Sequence, residues 1–268
     1  DTLTGNRLVR RFDDLRREGR KAFIPFVTAC DPDTDTTVEL VLAMEKAGAS
    51  VVELGVAFSD PIADGPTIQT AFTRVLAKGF EAGQAFDAVR RIRERSEIPI
   101  ALMLSCSIVT RIGTETFVKR CARAGVDGLI VPDLPVEAAA ELRRAAKEHG
   151  IALTFLVTPA TPDERVERIV EASTGFVYYV SVMGVTGARA DLPKAVSRSV
   201  RHLKTMTGRP VCIGFGISTP EHVKALGQHA DGVIVGSALV KRMTEAIEKG
   251  KSPVRPVTAA IRSMINYQ

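Results

Sequence analysis

Short, almost unbroken apolar runs recur along the chain, each followed by a segment whose apolar residues return every three or four positions. The runs are Phe23–Thr28, Val51–Leu54, Ile100–Leu104, Gly128–Val131, Ala152–Val157, Phe176–Val180, Pro210–Ile213 and Gly232–Val235. Strict alternation would mark strands with one wet face; near-continuous apolarity marks strands covered on both faces, as in parallel sheets. The segments between them read as helices: Val38, Val41 and Leu42 form one apolar stripe, Leu142, Ala145 and Ala146 another. Thr161-Pro162-Asp163-Glu164 and Thr219-Pro220-Glu221 read as helix starts, each a capping hydroxyl followed by proline. Helices are expected to end near Gly48, Gly125 and Gly150.

Eight strand–helix alternations in 268 residues favour an α/β fold, a single (β/α)₈ TIM barrel spanning residues 1–268, over an open doubly wound sheet. An extra N-terminal helix, about Leu3 to Arg17, would plug the bottom of the barrel. Two intervals are longer than the rest, Gly55 to about Gly79 and Met183 to about Pro193. In a barrel both fall on the C-terminal face, where active sites sit.

Composition narrows the partners. An apolar fraction of 45% is enough for a full core, and a net charge of +5 is modest and scattered. Its basic runs, Arg7–Arg20 and Arg90–Arg95, read as solvated helix faces, so no nucleic-acid partner is expected. Cys30, Cys106, Cys121 and Cys212 lie far apart, without metal-ligand spacing, and read as buried reduced thiols; no metal is expected. No apolar run reaches membrane-spanning length and no signal-peptide pattern opens the chain, so no membrane partner is expected. The start at Asp1 rather than Met leads to the expectation that processing or trimming removed something before it.

Two constellations carry chemistry. Glu53 lies inside an apolar strand, and alternation points either it or its neighbours into the barrel. It is a structural ion pair or strand-end carboxylate, or it is a functional acid; Asp60 and Asp64 close behind it favour the second. Each aspartate alone reads equally as a loop cap. The second constellation is glycine-rich: Gly184-Val185-Thr186-Gly187, Gly214-Phe215-Gly216 and Gly236-Ser237 follow the last three strands. Glycine serves plain turns, but three such loops in this order suit a phosphate held by backbone N–H groups. Tyr178, at the end of the sixth strand, either walls a flat substrate or fills the core. His149, His202, His222 and His229 read as solvated or capping residues on helices.

Together these segments resemble tryptophan synthase α chains. The resemblance rests on Phe26-Val27-Thr28 before Asp31-Pro32, on Glu53-Leu54-Gly55, and above all on the run from Phe58 through Ser59-Asp60-Pro61-Ile62-Ala63-Asp64-Gly65-Pro66 to Gln69. Gly125-Val126-Asp127-Gly128, Pro132-Asp133-Leu134-Pro135 and the three glycine loops extend it over nearly the whole chain. It implies a lyase that splits indole-3-glycerol phosphate into indole and glyceraldehyde-3-phosphate, with Glu53 as the acid/base and Asp64 holding the indole N–H. It further implies that Phe26 and Tyr178 line the indole pocket, that Gly187, Gly216, Gly236 and Ser237 bind phosphate, and that Thr186 belongs to a loop closing over substrate.

No cofactor is implied in this chain, pyridoxal phosphate being expected only in a partner β subunit of an α2β2 assembly. The implied location is the cytoplasm, or the plastid stroma in a plant. The chain departs from the family pattern at Ala57, where proline is usual, at Cys30, where glycine is usual, and at Ser105–Ile108, where an aromatic Tyr-Asn-Pro-like stretch is usual. The segments around Ala57 and Ser105–Ile108 contribute to β docking in the family, so altered pairing is expected. The competing readings are an α chain that only activates its partner, a free-standing indole-releasing lyase, another phosphate-binding barrel enzyme, and a binding barrel without chemistry.

Overall fold

Each of the eight apolar runs is a strand in the computed structural model, which describes residues 3–61, 64–181, 192–214 and 216–265. The strands are β1 (Ala22–Thr28), β2 (Val52–Gly55), β3 (Ile100–Met103), β4 (Gly128–Ile130), β5 (Ala152–Thr154), β6 (Leu156–Val157), β7 (Val177–Val180), β8 (Val211–Gly214) and β9 (Gly232–Val235). Their order in the sheet is β5-β4-β3-β2-β1-β9-β8-β7-β6. All the described pairings are parallel. The two ends of that order, β5 and β6, are halves of one expected strand, broken at Phe155. Ahead of the break Thr154 pairs with Ile130 of β4; behind it Leu156 pairs with Tyr178 of β7. Phe155 bridges the hand-over, its carbonyl accepting from Tyr178 N at 3.0 Å. The sheet therefore closes on itself through the backbone, which is the expected barrel.

The strands bury both faces, but against different partners. Phe23, Val27, Val52, Leu54, Leu102 and Val177 belong to a large cluster shared with the surrounding helices. Their alternate neighbours Ala22, Ile24, Val51, Ala101, Ile130, Ala152, Phe176, Cys212 and Ile234 fill the barrel interior. Into the same interior cluster the N-terminal helix Arg7–Arg17 sends Leu8, Phe12 and Leu15. Full burial of side chains of this size contributes about 2 kcal/mol each. Asn6 caps this helix, its side chain accepting from Leu8 N and Val9 N, while its amide donates to Asp127 O at 2.8 Å and Gly150 O at 2.9 Å. The plug thus begins at Arg7 rather than Leu3, and one asparagine both starts it and ties it to the barrel floor.

Two local expectations need correction. Thr161 does not cap the helix Asp163–Ala172; the cap position is Pro162. Thr161 Oγ1 instead accepts from Thr158 N at 3.0 Å within the preceding turn. Cys106 is only half-buried, whereas Cys30, Cys121 and Cys212 are buried as expected. Thr219 does cap its helix, accepting from His222 N at 3.3 Å. No helix among the described residues is long and apolar enough to cross a membrane.

Candidate active site

Val51 faces the barrel interior, so the residue two positions on, Glu53, faces it too, one level nearer the C-terminal end. Glu53 is only 1% exposed, and among the described residues neither carboxylate oxygen has a hydrogen-bond partner. The described residues therefore offer no partner for a structural ion pair, the plainer reading of this glutamate. Burial pushes its pKa up to about 8, and the charge of Asp64 adds to the rise. At neutral pH the group is mostly a neutral acid.

Asp64 reaches the same place from the long segment after β2. That interval contains a helix of its own, Pro66–Leu76, entered through Gly65 with Pro66 in its first turn. Gln69 on this helix holds the approach loop, its amide donating to Asp64 O at 2.7 Å and Pro61 O at 3.2 Å. Asp64 is half-buried, and desolvation raises its carboxyl to about 6. Two carboxyls thus sit close together with their proton affinities pushed to different levels, one mostly neutral and one mostly charged at pH 7.

Aromatic rings wall the same space. Phe26 pairs in register with Glu53 on the neighbouring strand and packs over Gly55, where a Cβ would fall 2.5 Å from its ring. Tyr178 fills the core, as a member of the interior cluster, and lies close enough to Glu53 and Asp64 to feel their charges. Burial, more than those charges, holds its phenol well above the ordinary value, so it stays neutral. Gly214 is required beside it, since a Cβ there would lie 2.2 Å from the Tyr178 hydroxyl oxygen. Met103, Leu156 and Val180, partly exposed, pack on the same interior cluster. Sequence reading missed these three, although alternation counted from Ala101, Thr154 and Tyr178 points each of them inward.

Thr28 was missed as well. It ends β1 on the inward face, is fully buried, and its Oγ1 has no partner among the described residues. A buried polar group left unpaired costs about 1–3 kcal/mol, and Thr28 and Glu53 both carry that cost.

Across β1 from Glu53 lies the glycine end. Gly236 and Ser237 open the helix Ser237–Glu248. The N–H groups of Ser237 and Ala238 have no acceptor within that helix, which suits an anion. Gly216 is exposed with φ of 73°, a left-handed turn. Thr186 and Gly187 lie outside the described residues. Among the described residues no three His, Cys, Asp or Glu side chains converge as a metal site requires.

The sequence profile of the tryptophan synthase alpha chain family matches residues 12–268. The chain belongs to that family. The tryptophan synthase alpha chain of Caldanaerobacter subterraneus subsp. tengcongensis is 47% identical over 244 residues, covering 91% of this chain and 93% of that one. The alpha chain of Gloeobacter violaceus is 47% identical over 243 residues, 90% of this chain and 87% of that one. Among solved structures, the alpha subunit from Legionella pneumophila str. Paris superposes with a TM-score of 0.91 at 35% identity, covering 98% of each chain. A chain from the Pyrococcus furiosus tryptophan synthase α2β2 complex does so with a TM-score of 0.85 at 41% identity, covering 91% of this chain and 98% of that one.

The departures from the tryptophan synthase alpha pattern acquire physical reasons. Cys30 adopts φ of 60°, a left-handed backbone that favours glycine, the usual residue there. Its N–H is held by Thr37 Oγ1 at 2.8 Å. Ala57 is not on the surface: it packs with Phe26, Ile68 and Phe72, leaving Ser59 and Asp60 exposed. Ser105, in place of an aromatic, caps the helix Cys106–Ile112 and donates to Asp133 Oδ2 at 2.7 Å, while Cys106 N donates to Asp133 Oδ1 at 2.8 Å.

Proposed function

We propose that this chain cleaves indole-3-glycerol phosphate to indole and glyceraldehyde-3-phosphate, with Glu53 as acid and base and Asp64 as the carboxylate at the indole N–H. The observation that carries this reading is the buried, unpartnered Glu53 beside Asp64 at the C-terminal mouth of the barrel. Neutral Glu53 gives its proton to indole C3, and positive charge spreads to the ring nitrogen, where Asp64 stabilises it. The resulting Glu53 carboxylate takes the proton of the hydroxyl on the adjoining carbon. The carbon–carbon bond then breaks, its electron pair restoring the ring, and an aldehyde forms. One proton is given and one recovered, so Glu53 ends as it began, and the step calls for no metal or cofactor from this chain. Phe26 and Tyr178 hold the flat ring; Gly216, Gly236 and Ser237, with Gly187 beyond the described residues, receive the phosphate, and Thr186, also beyond them, belongs to the loop that closes over substrate.

Indole release by the purified chain, with and without a β subunit and beside Glu53→Gln, tests the assignment. Activity that vanishes in the variant supports it; equal release by both would sink Glu53 as the proton carrier. The two carboxyls also set a pH profile. Productive enzyme carries Asp64 ionised and Glu53 protonated, so kcat/KM is expected to rise through about pH 6 and fall through about pH 8. A profile flat from pH 5 to 9 would contradict that division of roles.

The family forms complexes with a β subunit, as the Pyrococcus furiosus α2β2 assembly does, and pyridoxal phosphate belongs to that β partner. Pairing of this chain is altered at the segments around Ala57 and Ser105–Ile108. The support is local: Ser107 and the half-buried Cys106 stand at the surface beside a Ser105 turned down onto Asp133, and Ser59 and Asp60 are exposed on the other segment. Gel filtration with the β chain of the same organism, compared with Ser105→Tyr, is expected to show tighter association for the variant. A tight wild-type complex that the variant does not strengthen would end this idea.

A further inference from the structure

A substrate that reacts at Glu53 and leaves its phosphate at Ser237 must cross the end of β1. The sheet order makes this unavoidable, because β1 lies between β2, which carries Glu53, and β9, which leads into Gly236 and Ser237. On β1, Phe26 is level with Glu53, and Thr28 stands one inward position further out, level with Gly55. Phe26 covers Gly55 with its ring, so Thr28 is the polar side chain that β1 offers to whatever passes above that ring. The Thr28 hydroxyl is fully buried and makes no hydrogen bond to any described residue. Glu53 shares both properties, so shielding from solvent does not set Thr28 apart from the site.

From this placement we infer that Thr28 is a substrate-binding residue whose hydroxyl pairs with the unreactive alcohol of the polyol phosphate chain, the one between the reacting carbon and the phosphate-bearing carbon. This rests on the lyase reading for the identity of the substrate, but the contact itself is with a three-carbon polyol phosphate. A threonine hydroxyl both donates and accepts, so it pairs with an alcohol of either orientation. Its β-branched side chain, confined to few rotamers in a strand, is ordered before the ligand arrives. The pairing discriminates against a chain lacking that alcohol, because the orphaned Thr28 hydroxyl then stays unpaired in the complex.

Thr28→Val keeps the shape and removes the hydroxyl; Thr28→Ser keeps the hydroxyl. Calorimetric titration with glycerol 3-phosphate is expected to show binding about tenfold weaker in Thr28→Val than in wild type, as the loss of one such hydrogen bond predicts, with Thr28→Ser close to wild type. With 3-hydroxypropyl phosphate, which lacks the middle alcohol, wild type and Thr28→Val are expected to bind alike. In turnover, the Thr28→Val deficit is expected in kcat/KM for indole-3-glycerol phosphate, with affinity for indole alone unchanged. Equal binding of glycerol 3-phosphate by wild type and Thr28→Val, or the same deficit with both phosphates, would overturn the assignment and leave Thr28 a packing residue. If wild type binds the phosphates but releases no indole, the lyase reading fails while the comparison of the two phosphates still decides Thr28.

Discussion

Replacing Glu53 with methionine is expected to leave the protein inactive and, at neutral pH, more stable. The loss of activity follows from its proposed part in both proton transfers; one such group supplies about 10²–10⁴-fold, and here a single group serves twice. The gain in stability follows from burial. Glu53 has its pKa raised from an ordinary 4.5 to about 8 in the folded chain. A carboxyl shifted upward binds its proton more tightly folded than unfolded, so its contribution is fully present below about pH 4.5. As pH rises from there to about 8 the unfolded state ionises first and stability falls; above about 8 the loss is complete. At pH 7 the penalty is about 3 kcal/mol. Methionine has similar volume, no charge and no unmet hydrogen bond, so it removes the penalty. Urea unfolding at pH 5 and at pH 8 checks this: the variant should lead by about 1–3 kcal/mol at the lower value, from the unpaired carboxyl alone, and by a few kcal/mol more at the higher. A wild-type protein whose stability holds steady over that range, or a variant that weakens in parallel with it, would mean that Glu53 finds a partner in solution.

The same glutamate marks where the sequence was legible and where it was not. An acid inside a strand covered on both faces is conspicuous, and so are eight apolar runs with helical spacers; these depend on composition and period alone. Whether Glu53 faced the interior depended on register, which only the packing of Val51 against the plug helix decides. Thr28, Met103, Leu156 and Val180 stayed unnoticed for the same reason, since each is an unremarkable residue until the inward face of its strand is known. The break at Phe155 is a closure effect: one strand must satisfy β4 along its first half and β7 along its second, and nothing in Ala152–Val157 advertises that. The helix Pro66–Leu76 was hidden inside a segment read for its turn residues, although Gly65-Pro66 followed by Ile68, Ala71, Phe72 and Val75 carries both a start signal and an apolar stripe. Ala57 looked like a surface substitution because its neighbours are loop residues, yet it is packed beneath them.

Arg74→Leu is expected to cost about 3–5 kcal/mol and to weaken the lyase as well. Arg74 sits in the last turn of the helix Pro66–Leu76 and grips Asp31 with two parallel bonds, Nε to Oδ1 at 2.9 Å and Nη2 to Oδ2 at 2.6 Å. Nη2 also donates to Thr244 Oγ1 at 3.0 Å, so three elements meet on one guanidinium: the turn after β1, the helix behind Asp64, and the helix that begins at Ser237. Asp31 is wholly buried, whereas Arg74 keeps 18% of its side chain exposed. Removing the arginine therefore strands a carboxylate without its counter-charge, and that stranding, rather than the lost attraction, supplies most of the expected cost. Asp31→Asn in the Arg74→Leu background removes the buried charge and should recover part of the stability, giving a coupling energy well above that of a surface pair. Activity should not recover with it. The helix that holds Asp64 O through Gln69 would still lack its tie to the β1 turn, so Asp64 would remain misplaced against Glu53. Chemical denaturation and kcat measured on the two single variants and the double separate these effects. Full return of kcat in the double variant would show that Arg74 matters only for folding, and a loss below about 1 kcal/mol in Arg74→Leu would show that water reaches Asp31.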